Sequence, residues 1–481
     1  MKLSTAFVLL IQSISVLASP PRRQTNGPIP TVEGPVTGGQ RGYPFLAYFG
    51  DISRIGYVEE EYFLSGTATR YDPVGNLTLD GKWTLQPSTS STYKTRILVH
   101  RPRNSARFNG VAIVEWINVS FGYEISFGGD APGLYEDGSI YVLVSAQHVG
   151  VSGYTVTNPI GLNQWDPERY GSLNIEDDAL SYDIYTQAAR LIKSAQGQRQ
   201  VLCGLQPTTV VAVGGSQSGG RILSYTNGVQ PLANVFDVTM PLLAASNGAG
   251  FAINDSQNQE GVPGFSVVTN VRTDLRVPVW TINSELEASV TILLNTRQPD
   301  TSLYRLWEVA GGSHVNGPIY QTLIQKMNRD GVPPPEPADP TASQVNWLPV
   351  VDAAFRYLPA WVHQNIPPPS KPLISTTLIN GTIPILERGA DGNVIGGVRM
   401  PELRVPIAEY IGLVGTSLNG ESIPYNSSTL AQLYPTHQDY VNKVTAASQA
   451  ALRGNYFGLS GCVGDSYCAS SGGSFLVAVN K

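Results

Sequence analysis

Short, nearly continuous apolar runs that alternate with amphipathic segments constrain the fold of this chain more than any other feature. Runs of this kind are typical of strands in a parallel sheet that is covered on both faces. The segment 177–194 opens with two aspartates, favourable at the positive end of a helix dipole, and then repeats apolar residues on one helical face. It therefore predicts a crossover helix. The predicted strands are 96–100, 110–117, 140–146, 208–213, 277–283 and 304–310. Together they indicate an α/β fold with a mostly parallel central sheet covered by helices.

Two regions outside this alternation predict additions to the sheet. Residues 56–71 predict a strand of an added N-terminal antiparallel layer, with the Glu59–Glu61 run at a solvated edge. A Pro-rich loop at 333–340 precedes a predicted helix at 343–364. Farther along, Asp391-Gly392 is a hairpin signal, so a C-terminal β/α extension is expected.

The N-terminal segment predicts where the protein acts. A lysine, a short apolar stretch and small residues up to Ala18 are typical of a signal peptide, here residues 1–18, and predict secretion to the extracellular space. Residues 19–30 predict a linker or propeptide, because Arg22-Arg23 resembles a dibasic processing site. No internal repeat and no long linker follows, so residues 31–481 are predicted to form one domain with insertions.

If the protein is secreted, its asparagine sequons can be glycosylated and its cysteines can form disulfides. The sequons expected to carry glycans on surface loops are Asn76, Asn254, Asn380 and Asn426. Three cysteines are too few for a disulfide scaffold, so an apolar core must hold the fold. Cys462 and Cys468 are predicted to pair, whereas Cys203, inside "VLCGL", is predicted to be a buried apolar residue.

The charge pattern excludes several classes of partner. The formal net charge is −6, and the sequence has no cluster of Lys and Arg, so neither nucleic acid nor an anionic membrane is an expected partner. Nothing after the signal peptide has the run of about 20 apolar residues that a membrane span needs. The sequence also has no H-E-x-x-H motif, and no metal or cofactor is predicted. The pattern gives no oligomeric state.

The glycine-rich stretch "VAVGGSQSGGRIL" (211–223) carries the first chemical signal. A phosphate-binding P-loop would need a Lys and a hydroxyl residue after its last glycine, and here Arg221 and Ile222 follow Gly220. A nucleophile elbow instead needs a strand, a serine flanked by small residues two positions away, and a helix. Both Ser216 and Ser218 satisfy that spacing. Ser216 is favoured because it stands nearer the predicted strand end, whereas Ser218 would fall in the first turn of the helix.

An acid and a histidine base follow the serine in the chain order that a nucleophile elbow of this kind uses, serine then acid then histidine. His314 lies in "LWEVAGGSHVNG", a glycine-rich loop directly after a predicted strand. Between it and the elbow, Glu285 and Glu287 follow another buried strand, where a carboxylate can orient the imidazole. Glu287 is favoured as the acid, with Glu285 as its rival.

The remaining predicted site residues surround the elbow. Oxyanion donors are expected from the backbone of Gln217 and of Asn118 or Val119, and the sequon at Asn118 would then face the pocket and carry no glycan. Trp116 and His148 follow or end strands at the predicted site edge and are expected to line the pocket. The other three histidines, His100, His363 and His437, are assigned to the sheet or to helices.

Several blocks of this sequence resemble a known family. "RFNGVAIVEWINVS", "WDPERYGSL", "GGSQSGGR", "LWEVAGGSH" and "GGVRMPELRVPIAEY" are similar to blocks of the α/β-hydrolase-domain family of secreted bacterial and fungal proteins. The resemblance implies an α/β-hydrolase fold over most of the mature chain. In that family the elbow is typically G-E-S-Q-S-A-G-R; here Gly215 and Gly219 replace the glutamate and the alanine. Glutamate also stands at Glu287 where aspartate is usual.

These observations predict a secreted serine hydrolase that acts on a small-molecule or polymer-linked ester by way of an acyl-enzyme. Ser216 is the predicted nucleophile, His314 the base and Glu287 the acid. A peptidase or acyltransferase would use the same triad. A non-catalytic binding protein on the same scaffold is a third reading, and it predicts no reaction with a fluorophosphonate.

Overall fold

A computed structural model describes residues 27–127, 132–153, 160–244, 247–251, 267–290, 294, 296–334, 338–381, 383–454 and 456. The predicted signal peptide, the sequon at Asn254 and the cysteines Cys462 and Cys468 lie outside the described residues. Within the described residues, no helix is both long and apolar enough to cross a bilayer.

A nine-stranded sheet forms the centre of the molecule, in the order β1-β2-β3-β5-β4-β6-β7-β10-β11. Its strands are β1 (Thr31–Glu33), β2 (Tyr57–Pro73), β3 (Leu85–Pro102), β4 (Val111–Trp116), β5 (Ile140–Val144), β6 (Thr209–Gly215), β7 (Val238–Leu242), β10 (Val279–Ser284) and β11 (Tyr304–Val309). The strands from β5 to β11 in that order run parallel, and β1, β2 and β3 add an antiparallel layer at one edge. Small two-stranded sheets form from β8 (Asn247–Gly248) with β9 (Val267–Val268), β12 (Thr376–Ile379) with β13 (Ile383–Leu386), and β14 (Ala408–Ile411) with β15 (Glu421–Pro424). All six strands predicted from apolar runs are present.

Helices pack on the sheet and extend the C-terminal part. They are α1 (Pro132–Glu136), α2 (His148–Ser152), α3 (Leu162–Trp165), α4 (Pro167–Tyr170), α5 (Ser181–Lys193), α6 (Ala195–Gln200), α7 (Gln217–Ser224), α8 (Gln230–Ala233), α9 (Glu285–Ser289), α10 (Gly317–Asp330), α11 (Leu348–Gln364), α12 (Pro401–Arg404), α13 (Ser427–Leu433) and α14 (His437–Arg453). Short 3-10 turns lie at Ile52–Ile55, Ser105–Arg107 and Asp178–Leu180, and a π turn at Tyr225–Val229.

The crossover helix predicted at 177–194 is present as the turn Asp178–Leu180 followed by α5. Asp177 caps it, because its carboxylate accepts the Ala179 N–H at 2.9 Å. The Tyr185 hydroxyl of α5 donates to the Val114 carbonyl of β4 at 2.7 Å. This contact ties the helix to the centre of the sheet, whose strands β4 and β6 are buried along their whole length.

The Glu59–Glu61 run does not form a solvated edge, so that prediction is wrong. Glu61 is 2% exposed and accepts from Arg96 at 2.8 Å and from Arg169 at 2.6 Å. Glu59 pairs with the buried His100 at 2.8 Å. Arg96 and Arg169 come from distant parts of the chain, and together with His100 they place the acidic run in a buried polar network.

The C-terminal extension contains two tight turns. Asp391-Gly392 lies in the predicted turn, which brings Arg388 and Val394 into an isolated antiparallel bridge. The longer hairpin joins β12 to β13, and it begins its turn at Asn380 and Gly381, with φ of 52° and 71°. An Asn-Gly pair favours a turn that needs two positive φ values, so this signal could also have been found in the sequence.

Cys203 is exposed, and its predicted burial is wrong. It follows α6 in a turn with φ of 48°, between Leu202 and Leu205. These two leucines enter the core while the cysteine points outward. Apolar neighbours in the sequence do not determine whether a side chain in a turn points into the core or into solvent.

Candidate active site

The glycine-rich stretch forms a sharp turn between β6 and α7. Strand β6 ends at Gly215, and Ser216 follows with φ of 61° and ψ of −122°, an unfavourable backbone conformation for a residue with a side chain. The Ser216 N–H donates to the Leu242 carbonyl at the end of β7, at 3.0 Å. A Cβ on Gly214 would lie 2.7 Å from the Ser218 carbonyl oxygen, which explains why glycine is needed two residues before the serine. The turn therefore presents the side chain of Ser216 at the carboxyl edge of the sheet.

Ser218 has a different place in this turn. Its side chain is buried, and its hydroxyl donates to the Gly215 carbonyl and accepts the Gly215 N–H, both at 3.0 Å. These bonds close the turn on itself. The geometry thus leaves Ser216 half-buried at the sheet edge and uses Ser218 to hold the backbone.

His314 approaches Ser216 from the loop after β11. Its Nε2 lies 2.7 Å from the Ser216 Oγ, within hydrogen-bond distance. The side chain of His314 is 10% exposed, and its ring packs edge-on against Phe127 at 6.2 Å between centroids. The imidazole is therefore held beside the hydroxyl with little access for bulk water.

Glu287 completes the chain of contacts. Its Oε1 lies 2.5 Å from the His314 Nδ1, while its Oε2 accepts the N–H and the hydroxyl of Ser284, each at 2.7 Å. Ser284 and Glu287 form a capping box at the start of α9, which fixes the carboxylate by helix geometry. Burial by itself would raise the pKa of Glu287, but the interaction with His314 and the bonds from Ser284 outweigh it and lower the pKa below 4.5. The carboxylate is thereby kept ionised.

Glu285 does not contact His314. Its carboxylate accepts the N–H groups of Gly311 at 2.7 Å and Gly412 at 3.1 Å, and the Arg388 guanidinium lies 2.6 Å away. Burial raises the pKa of Glu285, and Arg388 with the two N–H groups offsets only part of that effect. Of the two glutamates, Glu287 holds the imidazole, and Glu285 braces the loop that carries it.

The backbone N–H groups that were predicted to bind the oxyanion differ in whether they already donate to another acceptor. The Asn118 N–H donates to the Ile125 carbonyl at 3.1 Å, so its assignment as a free donor is wrong. Its side chain is fully buried, with Nδ2 donating to the Gly215 carbonyl at 2.9 Å. Gln217 opens α7, where the first N–H groups of a helix have no partner within it. Val119 follows Asn118 in the same loop and remains the candidate there.

A family profile described as "Alpha/beta hydrolase domain" matches residues 32–458, most of the chain. The chain belongs to the alpha/beta hydrolase family. The sheet order and the strand–serine–helix turn agree with this membership. A search of curated proteins finds no match.

Solved structures that resemble this alpha/beta hydrolase are distant from it. Esterase Est22 is 13% identical, with a TM-score of 0.31, over 58% of this chain and 80% of that one. A glucuronoyl esterase from Solibacter usitatus is 10% identical, with a TM-score of 0.28, over 63% and 87%. A serine hydrolase from Xanthomonas campestris, described as lacking a lid, is 13% identical, with a TM-score of 0.27, over 56% and 97%. At these values the similarities carry no argument about the activity of this chain.

The two predicted pocket residues of this alpha/beta hydrolase, Trp116 and His148, differ in outcome. Trp116 is fully buried and packs against Tyr182 and Tyr185, so its assignment to the pocket wall is wrong. The apolar ring at the end of β4 fills the core under α5. His148 is half-buried and its Nδ1 contacts the Ile175 carbonyl, and its place in the pocket wall stays a prediction.

Gln147 is a site residue that sequence reasoning missed. Its Oε1 accepts from the Trp116 indole at 3.0 Å and from the Gln217 amide at 3.2 Å, and its Nε2 donates to Asp178 at 2.9 Å. This buried amide links the residue after the serine to the start of the crossover helix. The signal was its position one residue before His148, just past the end of β5.

The loop 117–127, which carries Val119, is fixed by contacts at both ends. Asn118 and Ile125 form a two-way backbone bridge, and the Phe127 N–H donates to the buried Glu115 at 2.6 Å. Between them, Glu124 pairs with the buried Arg96 at 2.5 Å. Within the described part of the chain, no group of three or more His, Cys, Asp or Glu is arranged to hold a metal ion.

Proposed function

We propose that this alpha/beta hydrolase is a serine esterase that cleaves carboxylic esters through an acyl-enzyme. The observation that carries the proposal is the continuous chain of contacts from Ser216 Oγ through the His314 ring to Glu287. A serine hydroxyl is a weak nucleophile until a base takes its proton, and the 2.7 Å contact to Nε2 provides that base.

In the first half of the reaction, the Ser216 oxygen forms a bond to the ester carbonyl carbon while its proton moves to His314 Nε2. The resulting oxyanion accepts hydrogen bonds from the Gln217 and Val119 N–H groups. The tetrahedral intermediate collapses when the bond to the alcohol oxygen breaks, and His314 gives that oxygen the proton. Glu287 stabilises the imidazolium and keeps the proton on Nδ1, so Nε2 is the nitrogen that exchanges protons with the reactants.

In the second half, water replaces the alcohol. His314 takes a proton from the water while the water oxygen attacks the acyl carbon. The bond to the Ser216 oxygen then breaks, His314 returns the proton to that oxygen, and the carboxylic acid leaves. The sheltered imidazole supports this proposal, because a base with little solvent around it keeps its proton transfers within the site.

Labelling with a fluorophosphonate tests this function directly. We expect stoichiometric modification and recovery of the label on the peptide that contains Ser216, as measured by mass spectrometry. A label on Ser218 alone would contradict the proposal, and the complete absence of labelling would favour the non-catalytic binding protein. Parallel assays with p-nitrophenyl esters and peptide anilides are expected to give turnover of the esters. Preferential cleavage of the anilides would indicate a peptidase, and transfer of the acyl group to added alcohols rather than to water an acyltransferase.

The proposed setting of this reaction is outside the cell, with residues 1–18 removed on export. The exposed sequons Asn76, Asn380 and Asn426 support glycan attachment, and the buried side chain of Asn118 opposes it there. After expression in a eukaryotic secretory host, we expect glycopeptides at the exposed sites and an unmodified Asn118 peptide. Mass spectrometry before and after enzymatic deglycosylation measures this. Retention of residues 1–18 on a protein that stays in the cell would contradict secretion.

A further inference from the structure

We propose that an apolar cleft beside Ser216 binds a short, unbranched hydrocarbon chain of the ester substrate, an inference that rests on the proposed function. The cleft lies between the loop 117–127 and α10. Its walls include Phe121, Ile125, Phe127, Ile319, Leu323 and Trp347. Among the residues that the structure describes, no charged side chain lines it.

The cleft adjoins the reacting groups through Phe127. Phe127 forms its inner end and packs against the His314 ring, and Val315, which also lines the cleft, directly follows His314. On the other side, Phe127 lies against Gly215, the residue before the nucleophile. A group bonded to the carbonyl at Ser216 therefore needs to extend past only one aromatic ring to enter the cleft.

Gly215 makes room for this arrangement. A Cβ built on Gly215 would lie 2.6 Å from the Phe127 Cβ and 2.8 Å from its Cγ, closer than carbon atoms approach in proteins. A side chain at position 215 would thus displace Phe127 from the histidine. The absence of a side chain there sets the inner wall of the cleft, and with it the shape that a substrate meets.

The size and chemistry of the cleft define the ligand. Its volume of about 30 Å³ corresponds to roughly two or three water-sized groups, since one water needs about 10–15 Å³. The hydroxyl of Ser126 is already engaged with Tyr141 at 2.9 Å. A saturated chain gains by leaving water for such a surface, whereas a sugar or a charged group would lose hydrogen bonds there.

The hydrocarbon chain can come from either side of the ester bond, and two substrate series distinguish them. In one, the acyl group of p-nitrophenyl esters lengthens from acetate through butyrate and hexanoate to octanoate. In the other, the alkyl group of acetate esters lengthens from ethyl to hexyl, and acid release is followed by titration. The cleft binds the acyl or the alkyl part of the substrate according to which series changes its chain-length dependence of kcat/KM when the cleft is altered.

Variants at Ile319 test the cleft in both directions. Ile319→Phe is expected to fill it and lower the ratio of kcat/KM for butyrate to that for acetate, or for butyl to ethyl, by about tenfold or more. Ile319→Ala is expected to widen it and raise the relative rate with the longest chains. The matched controls are Ile324→Phe and Ile324→Ala, at a half-buried isoleucine on the same helix that does not line the cleft. These controls are expected to keep the wild-type chain-length profile.

The outcomes separate this inference from the proposed function. Unchanged chain-length profiles in both Ile319 variants, with fluorophosphonate labelling intact, would overturn the cleft assignment and leave the esterase. Equal changes in the Ile324 controls would also overturn it. A wild-type protein that takes no label would overturn the proposed function itself. Because the two Ile319 substitutions shift the profile in opposite directions, a loss of stability in one of them cannot imitate the expected result.

Discussion

The Ser216→Ala variant is expected to lose ester hydrolysis by a factor on the order of 10⁶ in kcat, as removal of a triad serine does elsewhere. Without its hydroxyl, no covalent acyl-enzyme forms, and His314 has no nucleophile at 2.7 Å to deprotonate. What remains is the effect of the oxyanion donors and of substrate binding. The measurement is kcat with p-nitrophenyl acetate, together with a thermal melt to establish that the variant is folded.

Ser218→Ala is the matched control for this experiment. It removes a hydroxyl two residues away that contacts only the backbone of Gly215 among its described hydrogen-bond partners. The buried Gly215 N–H would lose its acceptor, so we expect the free energy of unfolding to fall by about 1–3 kcal/mol. Labelling at Ser216 should persist. If Ser218→Ala abolished labelling while Ser216→Ala kept full activity, the assignment of the nucleophile would be wrong.

The sheet could be predicted from the sequence because each strand has a recognisable local pattern of apolar residues. Strands β4 and β6 are buried on both faces, so their apolar runs are continuous and need no partner to be recognised. The elbow is also a local signal, since glycine at position 214 is required by a contact only four residues along the chain. Both Ser216 and Ser218 fit the spacing of the elbow. Which of the two is the nucleophile depends on the residue at which β6 ends.

The sequence favoured Glu287 over Glu285 as the acid but could not decide between them. The two residues lie two positions apart in the first turn of α9, so they point to nearly opposite sides of the helix. Which one faces His314 depends on the residue at which the helix begins. Ser284 begins it as the N-cap, and the capping box then turns Glu287 towards the site.

The errors at Glu61 and Trp116 have a common cause. In both cases the partner comes from a distant part of the chain: Arg169 for Glu61 and Tyr182 for Trp116. The error at Asn118 is different, because its backbone N–H donates to Ile125 within the same loop. A local pattern shows that a polar or aromatic residue is present, but burial and pairing are decided by tertiary contacts. Acid runs and strand-end aromatics therefore gave the least secure predictions.

The Glu287→Gln variant is expected to lower kcat by about 10⁴, the loss seen when a triad carboxylate becomes an amide. A glutamine keeps the shape of the side chain and can still accept from Ser284. It removes the charge beside His314 Nδ1 and can leave the imidazole in the wrong tautomer, with its proton directed at Ser216. The measurement is kcat for an acyl ester at neutral pH, with the KM expected to change little because Glu287 does not face the substrate.

Glu285→Gln is the matched control, since it makes the same change two residues away. Arg388 would lose its buried ionic partner, so we expect a lower free energy of unfolding and a kcat much closer to the wild type. The two variants should also differ in how pH changes their stability relative to the wild type. Because the pKa of Glu287 is lowered in the folded state, its stabilising contribution is present above about 4.5 and is lost as the pH falls through the folded pKa.

The sign is opposite for Glu285, whose pKa is raised by burial. The folded state then holds the proton more tightly than the unfolded chain, so the contribution of Glu285 to stability declines as the pH rises from about 4.5 through the folded pKa. Urea unfolding of the wild type and both variants at several pH values measures these differences. A Glu285→Gln protein that lost as much kcat as Glu287→Gln, at equal stability, would contradict the assignment of the acid to Glu287 alone.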